Sequence, residues 1–263
     1  MARYDFRTPR IYVDVPLAAA NEVPLSRDQA NHLLNVLRLK HGDGVLLFNG
    51  RDGEWQAQLA GTGKRVLTAE VGEQARVQPR PADLHVLFAP LKHARLDYLV
   101  QKAVEMGATR LRPVITQHTQ VARLNLGRMR ANVIEAAQQC GVLSVPEVTE
   151  PVAFARLAAS AGDGRLLVFC DEDAEVKDPV AALAAARPIP QALLPAQSAA
   201  AAMPLAVLIG PEGGFAEGER AALLKRPNVV RIALGPRILR ADTAAVAALA
   251  LVQAVLGDWA EKR

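Results

Sequence analysis

The stretch IGPEGGF at residues 209–215 decides how this chain is read: it follows the apolar run LAVLI at 205–209 and precedes a helical pattern at 217–224. Gly210, Gly213 and Gly214 permit positive φ and close approach of backbone to a ligand. Taken alone, such a run also serves as a tight strand-to-helix turn. The run LGPRILRADTA at 234–244 repeats the design, with an apolar strand, a glycine turn and then a helix for which Asp242 is the expected cap. In open α/β sheets ligands sit at the carboxyl ends of strands, so two such turns can wall one crevice. Neither a Walker A run (GxxxxGK followed by Ser or Thr) nor a GxGxxG fingerprint occurs, which disfavours nucleoside triphosphates and NAD.

Outward from these turns, short apolar runs at 84–89, 111–115, 166–170, 205–209 and 229–234 alternate with helical patterns. This alternation predicts a largely parallel α/β sheet whose strands are buried on both faces. Leu96, Leu99, Val100, Ala103 and Val104 form one apolar helix face ending at Gly107, and Met129, Val133, Ala136 and Ala137 form another. A last helix is expected from about 242 to 256, stopped by Gly257. Nearer the N-terminus, Ile11, Val13 and Val15 alternate with Tyr12 and Asp14, and a capping-box match from Ser26 to Gln29 introduces Leu33, Leu34 and Leu37. Strand-like runs at 45–48, 55–59 and 66–71 follow, separated by turn residues, and together read as a small β-barrel. Pro79 and Pro81 mark a change of rhythm and the expected domain boundary. The Ala, Pro and Gln stretch at 187–204 lacks periodicity and reads as an inserted surface loop.

With 51% hydrophobic and 22% charged residues over 263 positions, the chain can bury a core and lies far from disordered compositions. Its two cysteines, Cys140 and Cys170, make neither a disulfide framework nor a zinc cluster, so no metal site is expected. The first ten residues carry charges without an apolar core, which predicts no secretory signal and a cytoplasmic protein. The most apolar stretch, 241–256, falls short of the roughly 18 to 20 residues a membrane span needs and reads as a buried helix. Net charge is only +4, but residues 85–130 hold eight bases against two acids, Asp97 and Glu105. That excess suits either a phosphate-binding surface or a solvated helix face.

Further blocks carry a resemblance. PRIYV at 9–13, HLLNVLRLKHGD at 32–43, QKAVEMGA at 101–108 and EAAQQC at 135–140, followed by the two glycine runs, resemble the bacterial 16S ribosomal RNA uridine N3-methyltransferases of the SPOUT superfamily. The blocks fall in the family's order and cover nearly the whole chain. Departures are Asp242 where the family carries Glu, Gly141 and Val142 after Cys140 where it carries Arg, and the long insertion at 187–204.

The resemblance implies an α/β protein with an N-terminal PUA-like β-barrel, residues 1–78, that handles RNA. It implies a C-terminal SPOUT α/β domain, residues 79–263, whose chain threads a deep trefoil knot. Ordinary connection rules nearly exclude knots, so the knot rests on the resemblance alone. The resemblance also implies S-adenosylmethionine held by backbone groups of the two glycine-bearing loops, carried over to Gly210, Glu212, Gly213, Leu234, Gly235, Ile238, Leu239 and Arg240. The implied reaction is methylation of N3 of a uridine in 16S ribosomal RNA of the small subunit, by a homodimer joined through the knotted domain and without a membrane.

Arg240 is the candidate catalytic residue, because a planar, permanently charged guanidinium can stabilise uridinate oxygens; its alternative is an ion pair with Asp242 or Glu212. Arg10, Arg38, Lys40 and Lys92 are expected on the RNA backbone. His32, His41, His85, His93 and His118 all precede the two loops, so none is an evident general base, which leaves a carboxylate (Asp242 or Glu212) or water. The alternative functions are a non-catalytic RNA-binding assembly factor, opposed by the intact glycine loops, and a SPOUT enzyme acting on tRNA or another rRNA nucleotide, opposed by the N-terminal blocks.

Overall fold

A computed structural model describes residues 7–61, 67–121, 123–160, 164–175, 178–186 and 203–260. The expected strand start at 66 and residues 187–202 of the expected surface loop lie outside the described residues. The chain divides into two compact units, one of Met1–Arg80 with Ile134–Val145 and the other of Pro81–Val133 with Pro146–Arg263.

The first unit contains β1 (Arg10–Tyr12), β2 (Glu22–Pro24), α1 (Arg27–Asn31), a π-helical turn (His32–Val36), β3 (Gly44–Phe48), β4 (Glu54–Ala60) and β5 (Thr68–Arg76). Its five strands lie in the order β1-β3-β4-β5-β2, antiparallel except for the parallel pairing of β1 with β3. Alternate residues face one core: Val45 and Leu47 of β3, Ala57 and Leu59 of β4, and Ala69 and Val71 of β5, with Ile11, Val13 and Val23. The capping box closes as expected, with Ser26 N–H donating to Gln29 Oε1 at 2.8 Å and Gln29 N–H to Ser26 Oγ at 3.2 Å. Of the three leucines behind it, Leu33 is fully buried, whereas Leu34 and Leu37 are 39% and 40% exposed. The helix has widened: Leu37 N–H reaches His32 O at 2.9 Å, five residues back, so the later residues rotate off the core face. Arg38 then takes a left-handed φ of 58°.

Arg10 corrects an expectation. Its side chain is 4% exposed and its Nε donates to Glu54, itself gripped by Arg76 Nε at 2.7 Å. Arg10 Nη1 also donates to Gln138 O at 3.2 Å, and Arg76 Nη1 to Gly141 O at 3.0 Å, while Gln138 Oε1 accepts Tyr12 N–H at 2.9 Å. The PRIYV and EAAQQC blocks therefore meet in a buried charge network, and the Arg10 side chain expected on the RNA backbone is turned into it. Burial alone would raise the Glu54 carboxyl, but hydrogen bonds from Arg76 and Arg10 hold it below its ordinary value.

The second unit begins with β6 (Leu84–Phe88), α2 (His93–Glu105), β7 (Arg110–Ile115) and α3 (Leu126–Cys140), whose residues from Ile134 group with the first unit. It continues with β8 (Glu147–Val148), β9 (Val152–Ala153), α4 (Phe154–Ala159), β10 (Leu166–Cys170), α5 (Pro179–Ala185), β11 (Leu205–Ile209), α6 (Glu217–Leu224), β12 (Val229–Ile232) and α7 (Ala241–Val255). The sheet order is β12-β10-β11-β6-β7-β8, with β9 also on β7 and every pairing parallel. All residues of β6 and β11 are buried, as continuous apolar runs covered on both faces should be.

α7 is capped by Arg240 rather than by Asp242, whose Oδ1 instead accepts Thr243 N–H at 2.9 Å. Its Ala245, Ala248, Leu249 and Val252 are buried, and the helix packs on α2, α5 and β11. Among the described residues, no helix is long and apolar enough to cross a membrane.

Candidate functional site

β12, β10 and β11 are neighbours in the sheet, so the turns that follow them gather at one edge. A pocket of about 660 Å³ lies there, within the 300–1,000 Å³ typical of small-molecule sites. Its walls are residues 209–214 after β11, residues 234–241 with Ala244 after β12, residues 170–172 after β10, and Arg95 of α2. Gly210, Glu212, Gly213, Leu234, Gly235, Ile238, Leu239 and Arg240 all line it. Ile238 is 92% exposed, an apolar side chain left uncovered at the pocket wall.

The glycines act in two ways. Gly214 and Gly235 adopt φ of 69° and 97°, the left-handed region that disfavours side chains. Gly210 is needed for space, since a Cβ there would fall 2.6 Å from the ring of Phe215, which is buried and packed edge-on against Phe169.

Charges brace the turns from behind. Asp171, whose side chain is fully buried, accepts Arg231 Nε at 2.8 Å and Arg220 Nε at 3.1 Å, tying β10 to β12 and α6. Arg220 also pairs with Glu172 at 3.0 Å and Asp173 at 2.7 Å. Burial works against the Arg220 charge, yet the hydrogen bond and charge of Asp171, with Asp173 and Glu172, raise its pKa above the ordinary value. Ligand atoms of Asp171, Glu172 and Asp173, three consecutive acids, lie within 4.8 Å of one another, and the Arg220 and Arg231 guanidiniums already partner this cluster. Beside it, burial and then the Asp171 charge push the Cys170 thiol up to about 12, so Cys170 is a core residue and no nucleophile.

Two neighbours of the first loop escape any local motif. His118, in the turn after β7, sets Nδ1 3.1 Å from both Gly213 O and Gly214 O. Arg95 pairs with Glu212. The Glu212 carboxylate is thus turned to Arg95, and Arg240, exposed at the pocket, is joined to neither of its expected ion-pair partners. In the basic stretch Lys102, Arg110 and Arg128 also have acidic partners, Glu105, Glu147 and Asp97, which reduces the charge on offer to phosphate. Arg38 and Lys40 are exposed on the first unit, and Lys92 is exposed on the second.

Residues 78–253 match the RNA methyltransferase domain family and residues 25–72 the RNA methyltransferase PUA domain family. The ribosomal RNA small subunit methyltransferase E of Rickettsia conorii is 31% identical, over 96% of this chain and 98% of its own. This chain belongs to the methyltransferase E family. Another methyltransferase E, from Synechocystis, is 31% identical over 89% of this chain and 73% of its own. The crystal structure of the Neisseria gonorrhoeae methyltransferase E bound to S-adenosylmethionine superposes with a TM-score of 0.79 at 26% identity, covering 96% of this chain and all (100%) of the other. A Legionella pneumophila protein solved with the same cofactor gives 0.77 at 27% identity, over 96% and 99% of the two chains. The chain thus carries a PUA-like half-barrel, open between β1 and β2 rather than closed, and a parallel α/β unit.

Proposed function

We propose that this chain binds S-adenosylmethionine in the pocket at the ends of β10, β11 and β12 and methylates N3 of a uridine in 16S ribosomal RNA of the small subunit. The observation that carries the reading is the meeting of both glycine turns around one pocket of cofactor size. The names and bound cofactor of its relatives give the same direction.

When bound, the cofactor supplies an electrophilic methyl group on a sulfonium. The chain's own task is alignment and charge stabilisation. Gly210 and Gly213 line the pocket from the first loop, with Phe215 and His118 packed where their side chains would be, and Leu234, Gly235, Ile238 and Leu239 line it from the second. Arg240 lies beside them with its guanidinium exposed, suited to the negative charge that spreads over the carbonyl oxygens of a uridine losing its N3 proton.

Arg38, Lys40 and Lys92 serve the RNA backbone in this reading, with the barrel unit handling RNA in the cytoplasm. The family resemblance further supports a deep trefoil knot in the α/β unit and a homodimer joined through it. On α7, Ala247, Leu251 and Val255 share a half-buried face at i, i+4 and i+8 that a second copy would cover. Light scattering at micromolar concentration tests the dimer, and a monomer would refute it.

The direct test of function compares modified nucleosides in ribosomal RNA from cells with and without this protein by mass spectrometry. Loss of N3-methyluridine from small-subunit RNA is expected; unchanged N3-methyluridine would overturn the reading.

A further inference from the structure

We infer that Glu212 is the proton acceptor for the uridine imide and that Arg95 is the residue that positions it. This deepens the methyltransferase reading and rests on it.

Three acids line the cofactor-sized pocket: Asp171, Glu172 and Glu212. Asp171 is fully buried between Arg220 and Arg231, and Glu172 is tied to Arg220. Asp242, the other carboxylate near the second turn, is absent from the pocket lining and accepts a backbone N–H of its own helix. Glu212 differs in its partner: its side chain is 41% exposed, much as Glu172 is at 45%, but Arg95 is itself 37% exposed where Arg220 is 15%. An exposed ion pair of this kind holds a side chain in place weakly, so the carboxylate can be exchanged onto an incoming donor.

The position of Glu212 supplies the second argument. Pro211 and Glu212 belong to two cavities at once, the 660 Å³ pocket and a shallow groove on its other side. The groove has apolar walls in Leu91, Val121 and Pro211 and carries Lys92 and Gln120 as donors. A uracil ring is flat and apolar on its faces, and its pairing edge presents an acceptor, an N–H donor and a second acceptor. The groove itself holds only about 10 Å³, too little for the ring, so what it offers is a carboxylate acceptor, Glu212, beside the pocket and not a seat for the base. Glu212 therefore stands at the boundary between the cofactor-sized pocket and this groove, within reach of a donor entering from solvent.

Arg95 pairs with Glu212; Lys92 and His118 line the same groove, and the His118 Nδ1 lies 3.1 Å from the carbonyls of Gly213 and Gly214, next to Glu212. In the step, the N3–H bond breaks with its proton passing to a Glu212 carboxylate oxygen. The N3 electron pair bonds the methyl carbon of the sulfonium donor, whose carbon–sulfur pair leaves with sulfur, and Glu212 then returns the proton to water.

The test uses full-length Glu212→Gln, Arg95→Met, Arg95→Lys and His118→Asn, with single-turnover methylation of ribosomal RNA followed from pH 6.5 to 9.5 and S-adenosylmethionine binding measured by calorimetry. A general base contributes about 10²- to 10⁴-fold. Glu212→Gln is expected to bind cofactor within about threefold of wild type and to react at least about 100-fold more slowly at pH 7. Its rate should then climb about tenfold per pH unit, because only uridine already ionised in solution can react. Arg95→Met should lower kcat with little change in KM, and Arg95→Lys should restore most of it. Wild-type rate in Glu212→Gln at pH 7, a slow but pH-independent rate, or a loss explained by weakened cofactor binding would each overturn the inference. So would the steep climb appearing in His118→Asn instead. If the wild-type enzyme itself makes no N3-methyluridine, the functional reading fails; behaviour of these variants in an enzyme that makes it bears on Glu212 alone.

Discussion

Gln253, 1% exposed within α7, donates its Nε2 to the backbone carbonyl of Met106 at 2.6 Å, and its Oε1 accepts the N–H of Asp258 at 3.1 Å. One buried amide thereby satisfies the C-terminal end of α2 and the turn after α7 together. Gly107 makes room for it, since a Cβ there would fall 2.8 Å from Nε2. Gln253→Leu strands two backbone groups and should cost about 1–3 kcal/mol, seen as a lower urea midpoint at unchanged m-value. An unaltered midpoint would mean that water replaces the amide without loss.

Gly210→Ala and Gly235→Ala should fail differently. At Gly210 the new methyl meets the buried Phe215 ring at 2.6 Å, so overpacking of about 1–3 kcal/mol and weakened cofactor binding are expected. At Gly235 no atom lies within 4 Å of the added Cβ, and the expected penalty is the backbone strain of φ 97°, about 1–2 kcal/mol. Thermal melts with and without cofactor separate the two; equal stability of Gly210→Ala and wild type would show that Phe215 moves freely.

Arg240→Lys keeps the charge but loses the planar fork. Turnover should fall at least about tenfold while cofactor affinity falls less, the pattern of an interaction made mainly in the transition state. Wild-type turnover in Arg240→Ala would remove Arg240 from the chemistry.

Removing the charges of Arg38, Lys40 and Lys92 together should weaken RNA binding and flatten its dependence on salt. Each phosphate that is no longer neutralised reduces the slope of log K against log salt by about 0.7 to 0.9. Filter binding across a salt series measures this, and an unchanged slope would make these cations a solvated surface. Arg10 is left out because it is buried against Glu54.

The depressed pKa of Glu54 gives the first unit an acid limit. A carboxyl whose folded value lies below its unfolded one contributes stability above the unfolded value, near the ordinary 4.5, and loses it as pH falls through the folded value. Wild-type urea midpoints should therefore decline on acidification below about pH 4.5. Glu54→Gln should already be weak at pH 7, because Arg10 and Arg76 lose their counter-charge, and should decline less in acid. Parallel pH profiles for the two proteins would contradict this.

The sequence by itself determined the long strands, several helices and the two turns that wall the pocket, but not β2, β8, β9, α4 or α5. Continuous apolar runs produced β6, β10 and β11 almost residue for residue, the pattern at 217–224 is α6, and the Ser26–Gln29 box caps a real helix. Two glycine turns at strand ends are enough to expect one crevice. These signals are legible because they are local: period, turn chemistry and capping act within a few residues. The cap of α7 is less legible: side-chain chemistry favours Asp242, whereas Arg240 holds the position, since caps are decided by which φ and ψ the incoming loop imposes.

Only the tertiary structure decided the charges. Arg10 meets Glu54 across 44 residues, His118 meets Gly213 across 95, Arg95 meets Glu212 across 117 and Gln253 meets Met106 across 147. No spacing in the chain encodes such pairs. They arise when folding brings segments remote in the chain side by side and burial obliges each polar group to find a partner among whatever lies within reach.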